Sequence, residues 1–229
     1  MNTGSVKPRQ ALILGSSGGI GAAMIAQLEK DGWKVTGLSR SGDGLDLTRQ
    51  DSVRAAAEAL AERSFDLVIN ATGALVINGD QPEKTIRAVE ADAMAQQFAL
   101  NATGVALALR YFGALMPGRG RAVFASISAR VGSIGDNRLG GWISYRAAKA
   151  AQNQIIRTAA IELTRRNPDS VVVALHPGTV ETGLSARYAK RYPTIPPARS
   201  ARALLDVIDG LTPADTGTFW DWKGARVAW

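Results

Sequence analysis

Two residues able to move a proton, Tyr145 and Lys149, stand four positions apart within 144–166, a stretch whose composition is strongly helical. That spacing puts both on one helix face, about a turn apart. A free tyrosine, with a pKa near ~10, is a poor acid or base at neutral pH. A lysine cation beside it favours the phenolate and lowers that value. A tyrosine tuned in this way exchanges a proton with an alcohol or a carbonyl. The same pair recurs by chance on surface helices, so its meaning depends on the elements that surround it.

Those elements are organised around Ala11-Leu12-Ile13-Leu14-Gly15-Ser16-Ser17-Gly18-Gly19-Ile20-Gly21. The apolar run from Ala11 to Leu14 is short and continuous, as a strand buried on both faces should be. Gly15, Gly19 and Gly21 then form a G-x-x-x-G-x-G turn, and glycine permits positive φ and close approach of backbone to a ligand. A helix is expected from about Gly19, its free N–H groups and positive dipole end suited to a pyrophosphate. A second strand follows about twenty residues later, the context in which such a turn binds a nucleotide.

The rest of the chain alternates. Residues 19–30 read as a helix stopped by Gly32, 33–38 as a strand, 49–63 as a helix and 65–69 as a buried strand running into Asn70-Ala71-Thr72-Gly73. A looser stretch at 74–82 leads to a long helical region ending near 113, and Pro117-Gly118 breaks it. Residues 121–127 read as a strand, 129–141 as a polar loop, 144–166 as a helix and 171–175 as a strand ending at His176-Pro177-Gly178. A polar, proline-bearing segment at 183–199, a short helix at 200–210 and a last strand around 217–222 complete the pattern. Strands alternating with helices imply a doubly wound parallel sheet with helices on both faces, and ligands of such sheets bind beyond the carboxyl ends of the strands. The polar clusters Gly15–Gly21, Ser39–Arg40, Asn70–Gly73, Ser126–Ser128 and Pro177–Thr182 all fall at such an end.

The 229 residues suit a single domain, 1–229, with a flexible stretch expected at 1–8. No apolar run reaches the ~18 residues of a membrane span, and the polar start lacks the apolar core of a signal peptide. The chain has no cysteine, which excludes disulfides, thiolate nucleophiles and thiolate metal sites; a cytoplasmic setting is the expectation. A net charge of +7 invites a nucleic-acid partner, yet the arginines are scattered and no basic run carries interleaved aromatics, so a solvated surface is the reading. Carboxylates are dispersed, and no metal is assigned. His176, the one histidine, reads as a structural or rim residue, and Trp142 either lines a pocket or packs.

The ordered set Gly15-x-x-x-Gly19-Ile20-Gly21, Asp46-Leu47, Asn70-Ala71-x-Gly73, Asn101-x-x-Gly104, a serine after the 121–127 strand, Tyr145-x-x-x-Lys149, and Pro177-Gly178 with Thr182 resembles the short-chain dehydrogenase/reductase family along nearly the whole chain. Gly132-Ser133-Ile134-x-Asp136-Asn137-x-x-Gly140-Gly141-Trp142, and the ending from Gly217 to Trp229, are similar to its C-factor and sniffer-like carbonyl reductase branch. The resemblance implies a Rossmann-type fold and a small-molecule carbonyl or alcohol substrate, with Tyr145 as proton donor or acceptor. Lys149 would hold the nicotinamide ribose and lower the tyrosine pKa, and Asn101 would organise a water linked to the lysine. Cofactor contacts would come from Gly15, Ser17, Gly19, Ile20 and Gly21 at the phosphates. Asp46 and Leu47 would sit by the adenine, and Asn70, Ala71 and Gly73 near the adenosine half. Pro177, Gly178, Val180 and Thr182 would lie by the nicotinamide. The family also implies a homodimer or homotetramer, for which the alanine-rich helices at 92–113 and 144–166 offer close-packing faces.

Three departures stand out, the smallest being Thr72 where the family usually has alanine. Leu14 occupies the position before the first glycine where the family usually has threonine. The carbonyl-polarising serine is displaced: the family position falls on Ala129, with Ser128 one place early. Ser126 and Ser128 share a face if the strand continues, and Ser133 lies in the following loop, so Ser128 is favoured with Ser126 and Ser133 as alternatives.

The cofactor is expected to be NADP rather than NAD. An NAD site usually places an acidic residue about twenty positions after the glycine motif. Here Ser39-Arg40-Ser41 stands there, with no Asp or Glu between Asp31 and Asp43. A guanidinium grips a 2′-phosphate through two parallel hydrogen bonds, and Ser39 and Ser41 can add hydroxyl donors. The alternative function is a nucleotide-binding regulatory or signalling protein with this fold and little turnover.

Overall fold

The structure, a computed structural model, describes residues 8–183 and 193–229. Most of the expected flexible start, and most of the proline-bearing segment at 183–199, lie outside those residues.

Six strands form one all-parallel sheet: β1 (Gln10–Leu14), β2 (Lys34–Leu38), β3 (Leu67–Asn70), β4 (Ala122–Ile127), β5 (Ser170–His176) and β6 (Phe219–Asp221), in the order β2-β1-β3-β4-β5-β6. β1 is continuously apolar because it faces helices on both sides: Leu12 and Leu14 enter one core layer, Ala11 and Ile13 the other. The first layer is closed by α3 (Gln50–Glu58), α5 (Gly104–Phe112) and α6 (Ile143–Arg166), the second by α1 (Gly19–Lys30) and α7 (Pro197–Gly210). This is the doubly wound sheet that the alternation of strands and helices predicts. Because β1 leads outward to β2 while β3 leads the other way to β4, the strand order reverses between β1 and β3, the place where such sheets take ligands.

The boundaries differ from the sequence reading where packing outweighs propensity. Residues 83–90 are not helical apart from a 3-10 turn at Ile86–Ala88; α4 (Ala91–Phe98) starts only after Glu83, whose carboxylate bonds Ser144 at the start of α6. The helix after the second strand ends at Glu58 rather than 63, and α7 starts at Pro197, using proline at its first position. A one-turn helix, α2 (Arg40–Asp43), occupies what reads as loop. The helical stretch Ala91–Leu115 has the length and mean hydropathy, 1.3, of a membrane span; here it packs against α3 and α6 with Val105, Ala108, Leu109 and Phe112 buried. It is broken in the middle by a π turn, Ala99–Thr103, a distortion that often marks a functional site.

At the β6 edge the chain end folds back. Asp221 N donates to Ala225 O and Val227 N to Phe219 O, and Trp229 stacks on Phe219 with ring centroids 5.8 Å apart. The return covers backbone groups that an edge strand otherwise leaves open.

Candidate active site

The glycine corner is built from backbone alone. Gly15 takes φ +88 and donates its N–H to Leu38 O at 2.8 Å, tying the end of β1 to the end of β2. A methyl group on Gly21 would lie 2.2 Å from Gly15 O, so α1 packs on the turn only because both positions lack a side chain. Gly18 caps α1 without a side-chain hydrogen bond, and no acid stands in the first turn, which leaves the leading N–H groups to an anion. Ser17, Gly19 and Ile20 follow on this turn, and a methyl on Gly19 would lie 2.8 Å from Thr182 Cγ2, so the segment after β5 closes over the helix start. The corner fits a dinucleotide phosphate.

The end of β2 differs from expectation. Ser39 is buried and caps α2, its Oγ accepting from Gly42 N at 3.0 Å. Asp43 turns back, and its carboxylate accepts from Ser39 N at 2.9 Å and from Ser39 Oγ at 3.4 Å. An acidic group therefore does stand near the strand end, because one helical turn returns a residue four positions on to its start. Arg40 opens α2 and is exposed, as is Ser41.

Asp46 and Leu47 divide. Asp46 Oδ1 accepts from Thr48 Oγ1 at 2.7 Å and from Thr48 N at 2.9 Å, and these bonds hold its carboxyl below the usual value against the cost of burial. Leu47 is a core residue packed on Gly104. Ala71 N donates to Leu14 O at 2.8 Å and holds the end of β3 against Gly15, at the reversal point of the sheet. Pro177 O accepts from Ser200 Oγ at 2.8 Å, Gly178 takes φ +81 beneath Trp222, and Val180 is buried beside Ile195.

Tyr145 and Lys149 are both buried on α6, with the lysine Nζ 5.8 Å from the centre of the tyrosine ring. The expected lowering of the tyrosine pKa is not what this geometry produces. Burial disfavours the phenolate and pushes Tyr145 well above its usual value, while burial pushes Lys149 down to about 7. Lys149 Nζ is directed elsewhere, donating to Gln152 Oε1 at 2.8 Å and to Ile127 O at 3.3 Å. It lies over Gly73, where an added methyl would come within 3.2 Å of Nζ and 2.9 Å of Asn101 Oδ1. Asn101, on the π turn, bonds both backbone groups of Ala74 and donates to Gln97 Oε1 at 2.7 Å. The structure thus brings Tyr145, Lys149, Asn101 and Gly73 together at the carboxyl end of the sheet.

The three serines have separate partners. Ser126 Oγ accepts from Asn70 Nδ2 at 3.1 Å and from Gln152 Nε2 at 3.0 Å and is fully buried. Ser128 Oγ donates to Asn153 Oδ1 at 2.7 Å. Ser133 Oγ accepts from Asp136 N within its own loop. Asn70 is fully buried and held by Ser126 and Thr72, so its side chain supports the floor of the site.

Four residues escaped the sequence reading. Gln152 and Asn153 follow Lys149 by three and four positions, and that spacing, which puts them on the buried face of α6 with the lysine, was the available signal. Gln97 precedes Asn101 by four positions, again on one helix face. Glu83 offered no local signal: it bonds Ser144 through both N and Oγ, and Trp142 N donates to Glu83 O at 2.5 Å. It anchors the start of α6, where Trp142 takes the left-handed φ +54 and meets Tyr145 edge-on at 6.4 Å. A bulky residue in that region is uncommon and is held by its surroundings. His176 sits at the rim, its Nδ1 accepting from Arg130 N at 3.3 Å. Burial and then the Arg130 cation push it down to about 4, against the pull of Asp221.

A family model described as enoyl-(acyl carrier protein) reductase matches residues 15–216. The chain is 31% identical over 235 residues to 1-hydroxy-2-glutathionyl-2-methyl-3-butene dehydrogenase of Rhodococcus sp. (strain AD45), covering 95% of this chain and 98% of that protein. It is 38% identical over 139 residues to C-signal of Myxococcus xanthus, covering 59% of this chain and 78% of that protein. Among solved structures, one described as a short-chain dehydrogenase/reductase from Burkholderia multivorans with bound NADP superposes with a TM-score of 0.81 at 27% identity, over 97% of this chain and all of that one. With the glycine corner at the reversal point of the sheet and a buried Tyr145–Lys149 pair beside it, the chain belongs to the short-chain dehydrogenase/reductase family of NAD(P)-dependent oxidoreductases.

Proposed function

We propose that the protein is an NADP-dependent oxidoreductase that reduces an aldehyde, ketone or quinone, or oxidises the matching alcohol, with Ser128, Tyr145, Lys149 and Asn101 carrying the chemistry. The observation that supports this most is the burial of Tyr145 and Lys149 over Gly73 and Asn101, at the mouth of the glycine corner. The bound NADP of the Burkholderia structure and the hydroxyl-bearing substrate named for the Rhodococcus relative support the cofactor and the bond type.

The corner at Gly15–Gly21, with Arg40 on its rim, would hold the phosphates, and Gly73 leaves Lys149 room to reach a ribose. The nicotinamide supplies or accepts the hydride. The residues of this chain handle the oxygen. A tyrosine kept protonated by burial is fitted to give its proton to a carbonyl oxygen in the reductive direction. The Lys149 ammonium then stabilises the phenolate left behind. Ser128, which donates to Asn153 here, polarises the carbonyl by giving that hydrogen bond to the substrate oxygen instead. The same reading carries a cytoplasmic homodimer or homotetramer, with exposed Ile161 on α6 consistent with a covered face and sedimentation as the direct measurement.

Oxidation of NADPH with a panel of aldehydes, ketones and quinones tests the proposal. The wild type should turn over at least one class, and Tyr145→Phe should abolish turnover while binding NADPH nearly as before. Rates near wild type in that variant would sink the mechanism. A wild type that binds the cofactor but oxidises it with no substrate would favour the signalling reading, which the similarity to C-signal keeps open.

A further inference from the structure

We propose that Gln152 is a positioning residue: its amide anchors the Lys149 ammonium to the carboxyl end of β4 and keeps it charged. The proposal rests on the reading of Tyr145 and Lys149 as the reacting pair.

Gln152 is fully buried one turn beyond Lys149, and each end of its amide has an assigned task. Its Nε2 donates to Ile127 O at 3.1 Å and to Ser126 Oγ at 3.0 Å, and its Oε1 accepts from Lys149 Nζ at 2.8 Å. Flipping the amide would set two oxygens, Oε1 and Ile127 O, against each other and turn an NH₂ toward an ammonium. The acceptor is therefore fixed toward the lysine. The orientation is held from further away as well. Ser126 Oγ also accepts from Asn70 Nδ2, and Asn70 Oδ1 accepts from Thr72 Oγ1 at 2.6 Å, so the chain of bonds runs from the end of β3 to Lys149. Such buried polar networks are stable only when every member is satisfied.

Among the described residues, nothing with a formal negative charge shares this work. Tyr145 is the titratable group facing Lys149 from its own helix. The other elements packed on the lysine present Gly73, the Asn101 amide, the Ile127 carbonyl and Gly132. Arg130, on the turn that carries Gly132, directs its guanidinium to Asp221 at 2.7 Å and Asp136 at 3.1 Å. Burial works against the charged lysine, and neutral oxygens alone oppose it, Gln152 Oε1 at the shorter distance. Removing that acceptor should release the proton at lower pH, and the ammonium should leave the tyrosine sooner as pH rises.

The test compares the wild type with Gln152→Met, which conserves volume, and Gln152→Glu, which keeps an oxygen toward the lysine and adds charge. With seven lysines in the chain, ¹³Cε NMR can follow each, and Lys149→Met assigns the resonance. In Gln152→Met the Lys149 titration should move down by about one to two pH units, the worth of one hydrogen bond to a charged group. The alkaline limb of kcat/KM for NADPH oxidation should move with it. In Gln152→Glu both should move up. An unmoved Lys149 titration in both variants, whatever happens to Tm, overturns the proposal and leaves Gln152 a packing residue. If the wild type turns over no carbonyl, the reading of function fails, and the NMR titration still decides the role of Gln152. If Gln152→Met does not fold, an unmoved or lowered titration in Gln152→Glu overturns it alone.

Discussion

At the amino end of the sheet, polar side chains mostly serve backbone, the Arg63 to Gln10 side-chain bond aside. Arg121, just before β4, donates to Ile208 O at 2.6 Å and Leu211 O at 3.3 Å at the end of α7, and Asn167 donates to Pro117 O and Gly120 O. At the carboxyl end, polar side chains serve one another: Asn70 with Ser126, Ser126 with Gln152, Gln152 with Lys149, Ser128 with Asn153, Asn101 with Gln97. Any fold must satisfy the carbonyls at its helix and strand ends, so the first arrangement needs no function to explain it. Bonds between side chains make up only about 10–15% of those in globular proteins, and a buried run of them is costly to leave half-satisfied. Their gathering at one end of one sheet makes that end the candidate site, independently of any motif.

Substitutions at the two ends should therefore break different things. The largest effect expected from this comparison is Ser128→Ala, which should lower turnover about 10²-fold, as the loss of one oxyanion donor does elsewhere, with a smaller cost in Tm from the one buried acceptor it orphans, Asn153 Oδ1. Ser126→Ala should reverse the balance. It orphans Asn70 Nδ2 and Gln152 Nε2 and should cost stability first and turnover less, as paired thermal melts and kinetics will read. A larger kinetic loss at Ser126 would move the polarising hydroxyl two residues up the strand.

Arg40→Ala should weaken NADP binding about tenfold while leaving NAD nearly unchanged, by the loss of charge-assisted bonds to a 2′-phosphate. Calorimetric titration of both cofactors checks it. Equal loss for the two would mean that Arg40 is a solvent-facing residue and that Asp43, brought back onto Ser39, governs that rim. The smallest effect belongs to the amino end. Arg121→Met should cost about 1 kcal/mol of stability through two uncovered carbonyls and leave kcat and KM as they were.

The parts of this protein that were legible in advance depend on short stretches of chain. The glycine corner was readable because positive φ and the absence of Cβ are properties of Gly15 and Gly21 themselves, and the apolar run of β1 reports burial on both faces directly. Tyr145 and Lys149 were readable as a pair because helix geometry fixes residues four apart on one face. Six strands and their parallel sense followed from the alternation of elements.

Tertiary structure decided what sequence spacing leaves open. Glu83 reaches Ser144 across 61 positions, and Asn70 reaches Ser126 across 56, so no local pattern announces either bond. Residues 83–90 lost the expected helix because Glu83 is committed to the start of α6. The lysine was expected to tune the tyrosine on spacing alone, yet burial dominates both groups and Gln152 takes the ammonium. Spacing along a helix says which side chains are neighbours. How far water is excluded from them, and which oxygen turns toward the charge, depends on strands and turns that arrive from elsewhere in the chain.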